Sequence, residues 1–599
     1  MKKELERTGS RPWRIRRGKL EKTAGSAQRR SGMEKTWWKE AVGYQILPKT
    51  FYDSNHDGIG DLRGIITKLD YLKALGVTLL WIGPFYASPM DDNGYDVSDF
   101  LDVNPMFGTL ADVRELIAQA HRRGLRIILD LILNHTSDEH PWFIEARAHP
   151  DSPEHAFYIW KEPRYDAAGR PQPPTNWASF FADSAWAYDE QAGQYYMKIF
   201  SRKMPDLNWA NPILRQRMEA IARQWLDMGI DGFRVDAVAH LARDPEFQDS
   251  ELPVNAQGLA ADWSKFSNLP ALFDYLQEFK QTVLAGRDCL TIGEVGGGAS
   301  PQMALNYADK ETGAFNMVFT FDHCWCNGLE GKEIITEADR HVDVRQLKQV
   351  FARWYDGLGE RAWPAVYWMN HDLPRVVSQY GEPIRYHRES ASMLEAALLL
   401  MKGTPFLYNG EEIGMTNVDY SSLEDFHDVW VANYVKEARS RLSEEQILEY
   451  ERRTSRVNAR TPMQWSAEAY AGFSTVEPAE KVIGNYRKIN VAAQQADPYS
   501  VLNLTRRLIQ LRLSAVGKRL FVYGGFEFVE PEHPDLFMYR RFTAAEEAWV
   551  VCNFRGETIP FSLPEERGEC VFDNYAEPGF AGALRPYEAR VWLRREDSR

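Results

Sequence analysis

Four short carboxylate-bearing stretches recur in order along the chain: DLILNH at 130–135, GFRVDAVAH at 232–240, IGEV at 292–295 and WMNHD at 368–372. Each reads as apolar and β-branched residues ending in a polar one, the pattern of a buried parallel strand that delivers its last side chain to a barrel mouth. Asp236, Glu294 and Asp372 are then three carboxyl groups from three strands, gathered at one rim. A buried charge is expensive, so three converging on one apolar site point to catalysis rather than packing. Arg234 precedes Asp236 by two residues on the same strand face, where its guanidinium would hold that aspartate ionised.

Elements able to position these groups are visible as strand-like runs at 43–48, 78–83, 126–131, 230–235, 290–294, 316–321, 365–369 and 404–408. Amphipathic helical stretches such as ADVRELIAQAHRRG separate most of them, and eight strands alternating with helices predict a (β/α)8 TIM barrel. The barrel is expected over 33–134 and 205–519. The interval 135–204 is too long for a strand-to-helix connection and rich in Pro, Trp, Tyr and Asp, so it predicts a subdomain inserted after strand 3 and overhanging the barrel mouth. From about residue 520 the pattern changes to short alternating runs, FEFVE, LFMYRRF, AWVVCNF and ARVWLR, which predict a C-terminal antiparallel β-sandwich over 520–599.

A chain of 599 residues calls for two or three domains. Its 27 Tyr and 19 Trp supply flat amphipathic rings that can pack a core or face a sugar. Residues 1–32 hold eleven Lys/Arg against three Asp/Glu, leaving 60 basic against 82 acidic residues in the rest, a balance of −22. The leader is expected to be disordered, and the acidic body disfavours nucleic acid or an anionic membrane and suits a small neutral substrate. No run has the length and apolarity of a membrane helix, and the leader lacks the apolar core of an export signal. Patterned sequence starts at Met33, so the leader is read as an upstream translation artefact or remnant. Five cysteines without framework spacing read as reduced thiols of a cytoplasmic protein, and Cys324-x-Cys326 is too closely spaced for zinc.

Further blocks follow the same order: DSNHDGIGDLRGI at 53–65, NGYDVSDF at 93–100, MPDLNW at 204–209, GTPFLYNGEEIGM at 403–415 and SRVNARTPMQW at 455–465. With them the chain resembles glycoside hydrolase family 13, the α-amylase family, in its α-glucosidase and oligo-1,6-glucosidase branch. The resemblance implies that Asp236 is the nucleophile, Glu294 the general acid/base and Asp372 the carboxylate that stabilises the transition state. Retaining hydrolysis needs the first two about 5–5.5 Å apart and the acid with a raised pKa. His135 and His371 are implied to bind hydroxyls of the first sugar and Tyr95 to stack on its ring. Asp96 is implied to grip a hydroxyl and pair with Arg460, with Arg456 a turn earlier. That Asp–Arg pair would close the non-reducing side, leave room for one glucose and make the enzyme exo-acting. Asp130 and Asn134 are read as shaping the rim.

The run 53–61 places oxygen donors at alternate positions around a glycine, which suits calcium, although Gly64 stands where an EF-hand has its closing glutamate. The resemblance implies a structural calcium on Asp53, Asn55, Asp57, the Ile59 carbonyl and Asp61; magnesium fits the same donors, and no organic cofactor is implied. Ala237 stands where α-1,6-specific members of the branch tend to carry valine, which tips the reading toward α-1,4 bonds. Val457, Asn409 and the MPDLNW block also depart from the branch's usual pattern. The expectation is a retaining exo-acting α-glucosidase on small malto-oligosaccharides, monomeric or homodimeric, with transglucosylation as a side reaction. Its alternatives are an oligo-1,6-glucosidase and a trehalose synthase-like or sucrose-acting enzyme, although the RLDRD-type loop of sucrose isomerisation is absent. A non-enzymatic sugar-binding relative would lack the carboxylates.

Overall fold

The computed structural model describes residues 36–595 apart from 182, 330–331, 337–340, 563–567, 578 and 580–581; the basic leader lies outside the described residues. Eight parallel strands form where the runs predict them: β1 (Gly43–Ile46), β2 (Leu79–Ile82), β3 (Arg126–Ile132), β4 (Gly232–Asp236), β5 (Leu290–Glu294), β6 (Met317–Phe319), β7 (Ala365–Tyr367) and β8 (Thr404–Tyr408). They pair in the order β6-β5-β4-β3-β2-β1-β8-β7. At the junction of β6 and β7, Phe319 and Tyr367 meet edge to face at 5.2 Å and the Tyr367 hydroxyl donates to the Thr320 carbonyl at 2.7 Å, so side chains close the barrel where no ladder does. Gly232 opens β4 at φ +146°, and a Cβ there would lie 1.8 Å from the Leu290 carbonyl oxygen. Only glycine lets β4 and β5 approach so closely, and those strands carry Asp236 and Glu294.

The connecting helices are α1 (Leu62–Leu75), α2 (Leu110–Arg122), α3 (Pro212–Met228), α4 (Pro270–Phe279), α5 (Pro301–Ala308), α6 (Val344–Leu358) and α7 (His387–Leu399). Their boundaries follow local chemistry: Asp61 caps α1 by accepting from the Gly64 N–H, and Thr109 and Asp112 form a capping box on α2. After β8 the chain makes α8 (Val429–Ala438) and α9 (Glu444–Thr454) before α10 (Val501–Leu513) completes the outer ring.

The insertion holds a helix, Pro141–Ala148, a hairpin and a three-stranded antiparallel sheet. Its apolar cluster around Trp177 and Trp186 also takes in Phe247, Trp263 and Phe266 from the loop after β4, so two separate insertions build one overhang. The C-terminal unit is a five-stranded antiparallel sheet of β9 (Gly525–Val529), β10 (Leu536–Phe542), β11 (Glu546–Asn553), β12 (Glu569–Asp573) and β13 (Ala589–Arg595), in the order β9-β10-β11-β13-β12. A two-stranded ribbon contributes Ile559 and Leu584 to a small apolar cluster with Trp592. The sheet also meets α7, whose C-terminal carbonyls are taken by two buried arginines: Arg512 donates to Leu399 at 2.8 Å and Arg541 to Leu400 at 3.0 Å. Cations at a helix C-terminus oppose its dipole favourably, and Arg541, which stands on β10, fastens barrel to sheet.

Candidate active site

The register of β3, β4 and β5 sets Arg234 beside Asp130 on one side and Ile292 on the other, with Asp236 and Glu294 at the strand ends. The Arg234 guanidinium is buried and serves three carboxylates: Nη1 lies 2.7 Å from Asp130 and 2.5 Å from Asp236, and Nη2 lies 2.5 Å from Glu294. Arg234 thus meets Asp236, as its place two residues earlier on the strand predicts, and two further carboxylates besides. Burial pushes the Asp236 carboxyl well up; Arg234 opposes the rise, and Glu294 and Asp130 add to it. Burial likewise raises Asp130 to about 6, against its bonds to Arg234 and the Trp81 indole. One positive charge among three carboxyl groups favours a proton held within the cluster, which is what an acid/base pair needs.

Immediately after Asp236 the chain turns through Ala237 at φ +46°, and this turn aims the Ala237 N–H at Glu294 Oε2, 2.9 Å away. Asp372 lies opposite. Burial pushes its carboxyl up, but His371, Arg460 and Arg456 outweigh burial and hold it well below the usual carboxylate range. The contacts are His371 Nε2 at 3.0 Å, Arg460 Nη2 at 2.8 Å and Arg456 Nη1 at 3.6 Å. Gln45 Nε2 lies 2.8 Å from His371 Nδ1, which leaves Nε2 as the protonated nitrogen facing Asp372. The Tyr95 ring stacks flat on His371 at 5.1 Å and 7°.

These groups line one cavity of about 500 Å³. Asp92, Tyr95, His135, Asp236, Ala237, Glu294, His371, Asp372 and Arg456 face it, whereas Arg234 and Arg460 stand behind and hold the lining. Tyr95 Oη and His135 Nε2 are buried without a hydrogen-bond partner, two polar atoms whose burial a ligand hydroxyl would compensate. Burial lowers both His135 and His371 to about 3, so the imidazoles are neutral.

The expected pair of Asp96 with Arg460 does not form. Asp96 accepts the backbone N–H groups of Asp91 at 2.8 Å and Asp92 at 3.0 Å, shaping the 91–96 loop. The acid that meets the arginines is Asp92, 2.7 Å from Arg456 and 3.6 Å from Arg460. Asp428 completes the set at 2.8 Å from Arg456 and 3.2 Å from Arg460. Asp92 stands four residues before Asp96 in the same acidic turn, so spacing alone could not choose between them. Asp428 lies in FHDVW, with no neighbouring signal. Also unassigned in the sequence were the aromatic walls, Phe180, Phe181 and Phe200 from the insertion with Trp325 from the β6–α6 loop and Trp430 from the first turn of α8, and His240 at the end of the GFRVDAVAH block.

The 53–61 run closes on its own hydrogen bonds. Asp53 accepts from the His56 and Gly58 N–H groups and the Ser474 hydroxyl, Asp57 from the Ile59 N–H, and Asp61 from Ser54 and Gly64. Asn55 pairs with Asp57. Among the described residues no three His, Cys, Asp or Glu side chains gather as a metal group; the calcium that the resemblance implies would draw also on the Asn55 amide and the Ile59 carbonyl, beside Asp53, Asp57 and Asp61.

A barrel whose strand ends bring a guanidinium-bridged carboxyl pair and a third carboxylate into one sugar-sized pocket defines a glycoside hydrolase. The chain belongs to the alpha-amylase family, whose model "Alpha amylase, catalytic domain" matches residues 45–519. It is 42% identical over 571 residues to the oligo-1,6-glucosidase of Parageobacillus thermoglucosidasius, covering 94% of this chain and 99% of that one. It is 40% identical over 565 residues to an alpha-glucosidase of Pediococcus pentosaceus, covering 93% and 98%. The isomaltulose synthase from Klebsiella sp. LX3 shares the fold with a TM-score of 0.86 at 34% identity, over 94% of this chain and all of that one.

Proposed function

We propose that the protein is a retaining, exo-acting α-glucosidase that releases glucose from the non-reducing ends of small malto-oligosaccharides, with α-1,4 bonds favoured. The observation that carries this reading is the bridging of Asp236 and Glu294 by one buried arginine at a pocket that Asp92 and Arg456 also line, with Asp428 and Arg460 paired behind them. A terminal glucose enters with its hydroxyls toward His135, His371 and Asp372 and its ring over Tyr95. Glu294 protonates the glycosidic oxygen as Asp236 attacks C1, and the resulting glucosyl ester is cleaved by a water that Glu294 deprotonates. Asp372, kept ionised by its cationic neighbours, stabilises positive charge developing on the ring. An acceptor sugar that replaces the water gives transglucosylation.

The small Ala237 side chain beside the leaving-group space supports the α-1,4 preference. A second reading, α-1,6 hydrolysis, is favoured by the oligo-1,6-glucosidases among the relatives. A sucrose- or trehalose-converting activity draws on the isomaltulose synthase neighbour. Five cysteines, none of them in a disulfide, suit a reducing compartment, and no helix among the described residues is long and apolar enough to cross a membrane. Turnover of a chromogenic α-glucoside by wild type and Asp236→Asn tests the reading, and equal rates would overturn it. Maltose, isomaltose, trehalose and sucrose compared side by side decide the linkage.

A further inference from the structure

A second cavity, of about 290 Å³, lies beside the first, and Trp325, Asp372, Trp430 and Arg456 line both. Its remaining walls come mainly from α8 and α9, where the Tyr434 and Tyr450 rings meet at 4.7 Å, tilted by 31°, and from Asp428 and Glu451. The Tyr434 hydroxyl lies against the Glu333 carboxylate, which it helps to hold low. Glu451 is 3% exposed, and burial raises it to about 8, so near neutrality it can donate as well as accept.

This lining selects a ligand class. An anion would face Asp372, Asp428 and Glu451, while Arg456, the one cation among the described lining residues, is already held by Asp92 and Asp428. A purely apolar molecule would set carbon against the Thr454 and Ser455 hydroxyls and the Asp372 and Glu451 carboxyls that line the chamber, displacing water from polar groups with nothing in exchange. Flat aromatic faces interleaved with hydroxyl and carboxyl groups suit a neutral polyhydroxylated ring, and the volume is at the small end of ligand sites. We propose that this chamber is a second sugar site, sized for one free pyranose, that can fill while the catalytic pocket is occupied. The proposal rests on the glucosidase reading only for the identity of the sugar, the glucose released next door. Arg456 forms part of both walls, so glucose in the chamber is expected to inhibit with a mixed rather than a purely competitive pattern.

The test is glucose binding to protein whose catalytic pocket is saturated with the iminosugar 1-deoxynojirimycin, followed by calorimetry and saturation-transfer NMR. One further glucose per chain, with millimolar affinity, is expected. Thr454→Trp, which fills the chamber from α9, should weaken that binding by about tenfold or more and leave chromogenic glucoside turnover within about twofold. Val431→Phe serves if the first variant fails to fold. No glucose bound to blocked wild type at about 100 mM, far above a millimolar constant, would overturn the proposal. If the iminosugar itself does not bind, the glucosidase reading is what fails. The second site is then decided by whether Thr454→Trp removes one glucose from the unblocked protein.

Discussion

The carboxylate of Asp92 meets the guanidinium of Arg456 at 2.7 Å, although 364 residues of chain separate them. Both side chains are 7% exposed, and Asp428 takes the other edge of the same guanidinium. A buried charge pair of this kind contributes little net stability, because desolvation offsets attraction, but it fixes geometry. Here it ties the turn before Tyr95 to the 456–460 helical turn, and both partners line the pocket that holds the carboxylates.

Asp92→Ala should therefore cost activity more than fold. Arg456 keeps Asp428, so the protein should still melt cooperatively. The pocket lining loses a carboxylate, and kcat/KM for maltose should fall about 10²–10³-fold, the range for truncating one member of a buried pair. Steady-state kinetics beside a thermal melt check this; unchanged maltose kinetics would refute the role of Asp92 in the lining.

How far this arrangement was legible in the sequence differs between its two layers. Strands β1 to β8 follow from continuous apolar runs, because a strand buried on both faces must be apolar along its length. The carboxylates at their ends stand out for the same reason, as polar residues closing apolar runs. The 92–456–428–460 set carries no such signal. Its members lie in a loop, at a helix N-cap and in a single helical turn, and which of Asp92 and Asp96 faces the arginines depends on a loop that Asp96 itself folds by accepting two backbone N–H groups. The aromatic walls escape local reading too, since Trp325 and Trp430 become neighbours only when the β6–α6 loop and α8 meet across the mouth.

The division of labour between Asp236 and Glu294 predicts different responses to amide substitution. Asp236→Asn removes the attacking oxygen and should lower turnover of every substrate by about 10⁴-fold or more. Glu294→Gln removes only the proton donor, worth about 10²–10⁴-fold, and that loss should shrink for a nitrophenyl leaving group, which departs without protonation. Measuring both variants on maltose and on a nitrophenyl α-glucoside checks this. Identical losses on the two substrates for Glu294→Gln would show that Glu294 is not the acid.

The shared guanidinium sets the sign of the acid limb. Attack needs ionised Asp236, and burial with Glu294 and Asp130 pushes its pKa up against Arg234. Hence kcat/KM should fall as pH drops through a value above the ordinary aspartate figure of about 3.9, while Asp372, held low, stays ionised throughout. Asp130→Asn removes one negative neighbour and one competitor for Arg234, so it should move the limb to lower pH. A pH profile of kcat/KM for the two proteins tests this, and a wild-type limb at or below pH about 4 would contradict it.

The 53–61 loop makes a prediction about metal removal. Its carboxylates are already engaged by Ser54, His56, Gly58, Ile59, Gly64 and Ser474, so chelation should leave the fold intact and lower Tm little. A bound ion would instead stabilise by mass action, and Tm would climb with added calcium. Melts in chelator and in millimolar calcium separate the two. A large calcium-dependent rise, lost in Asp57→Ala, would show that an ion replaces these hydrogen bonds.

Ala237 offers the sharpest test of linkage, because one methyl group at φ +46° lines the pocket while its N–H holds Glu294. Ala237→Val adds two methyl groups beside the leaving-group oxygen and should lower kcat/KM for maltose more than for isomaltose, whose extra exocyclic bond lets the second ring swing clear. A β-branched residue in the left-handed region also costs about 1–3 kcal/mol, so Tm should fall as well. The two effects are separable, since strain acts on both substrates alike whereas steric exclusion changes their ratio. An isomaltose-to-maltose ratio unchanged from wild type would remove Ala237 from the determinants of linkage and leave the α-1,4 preference without support from this residue.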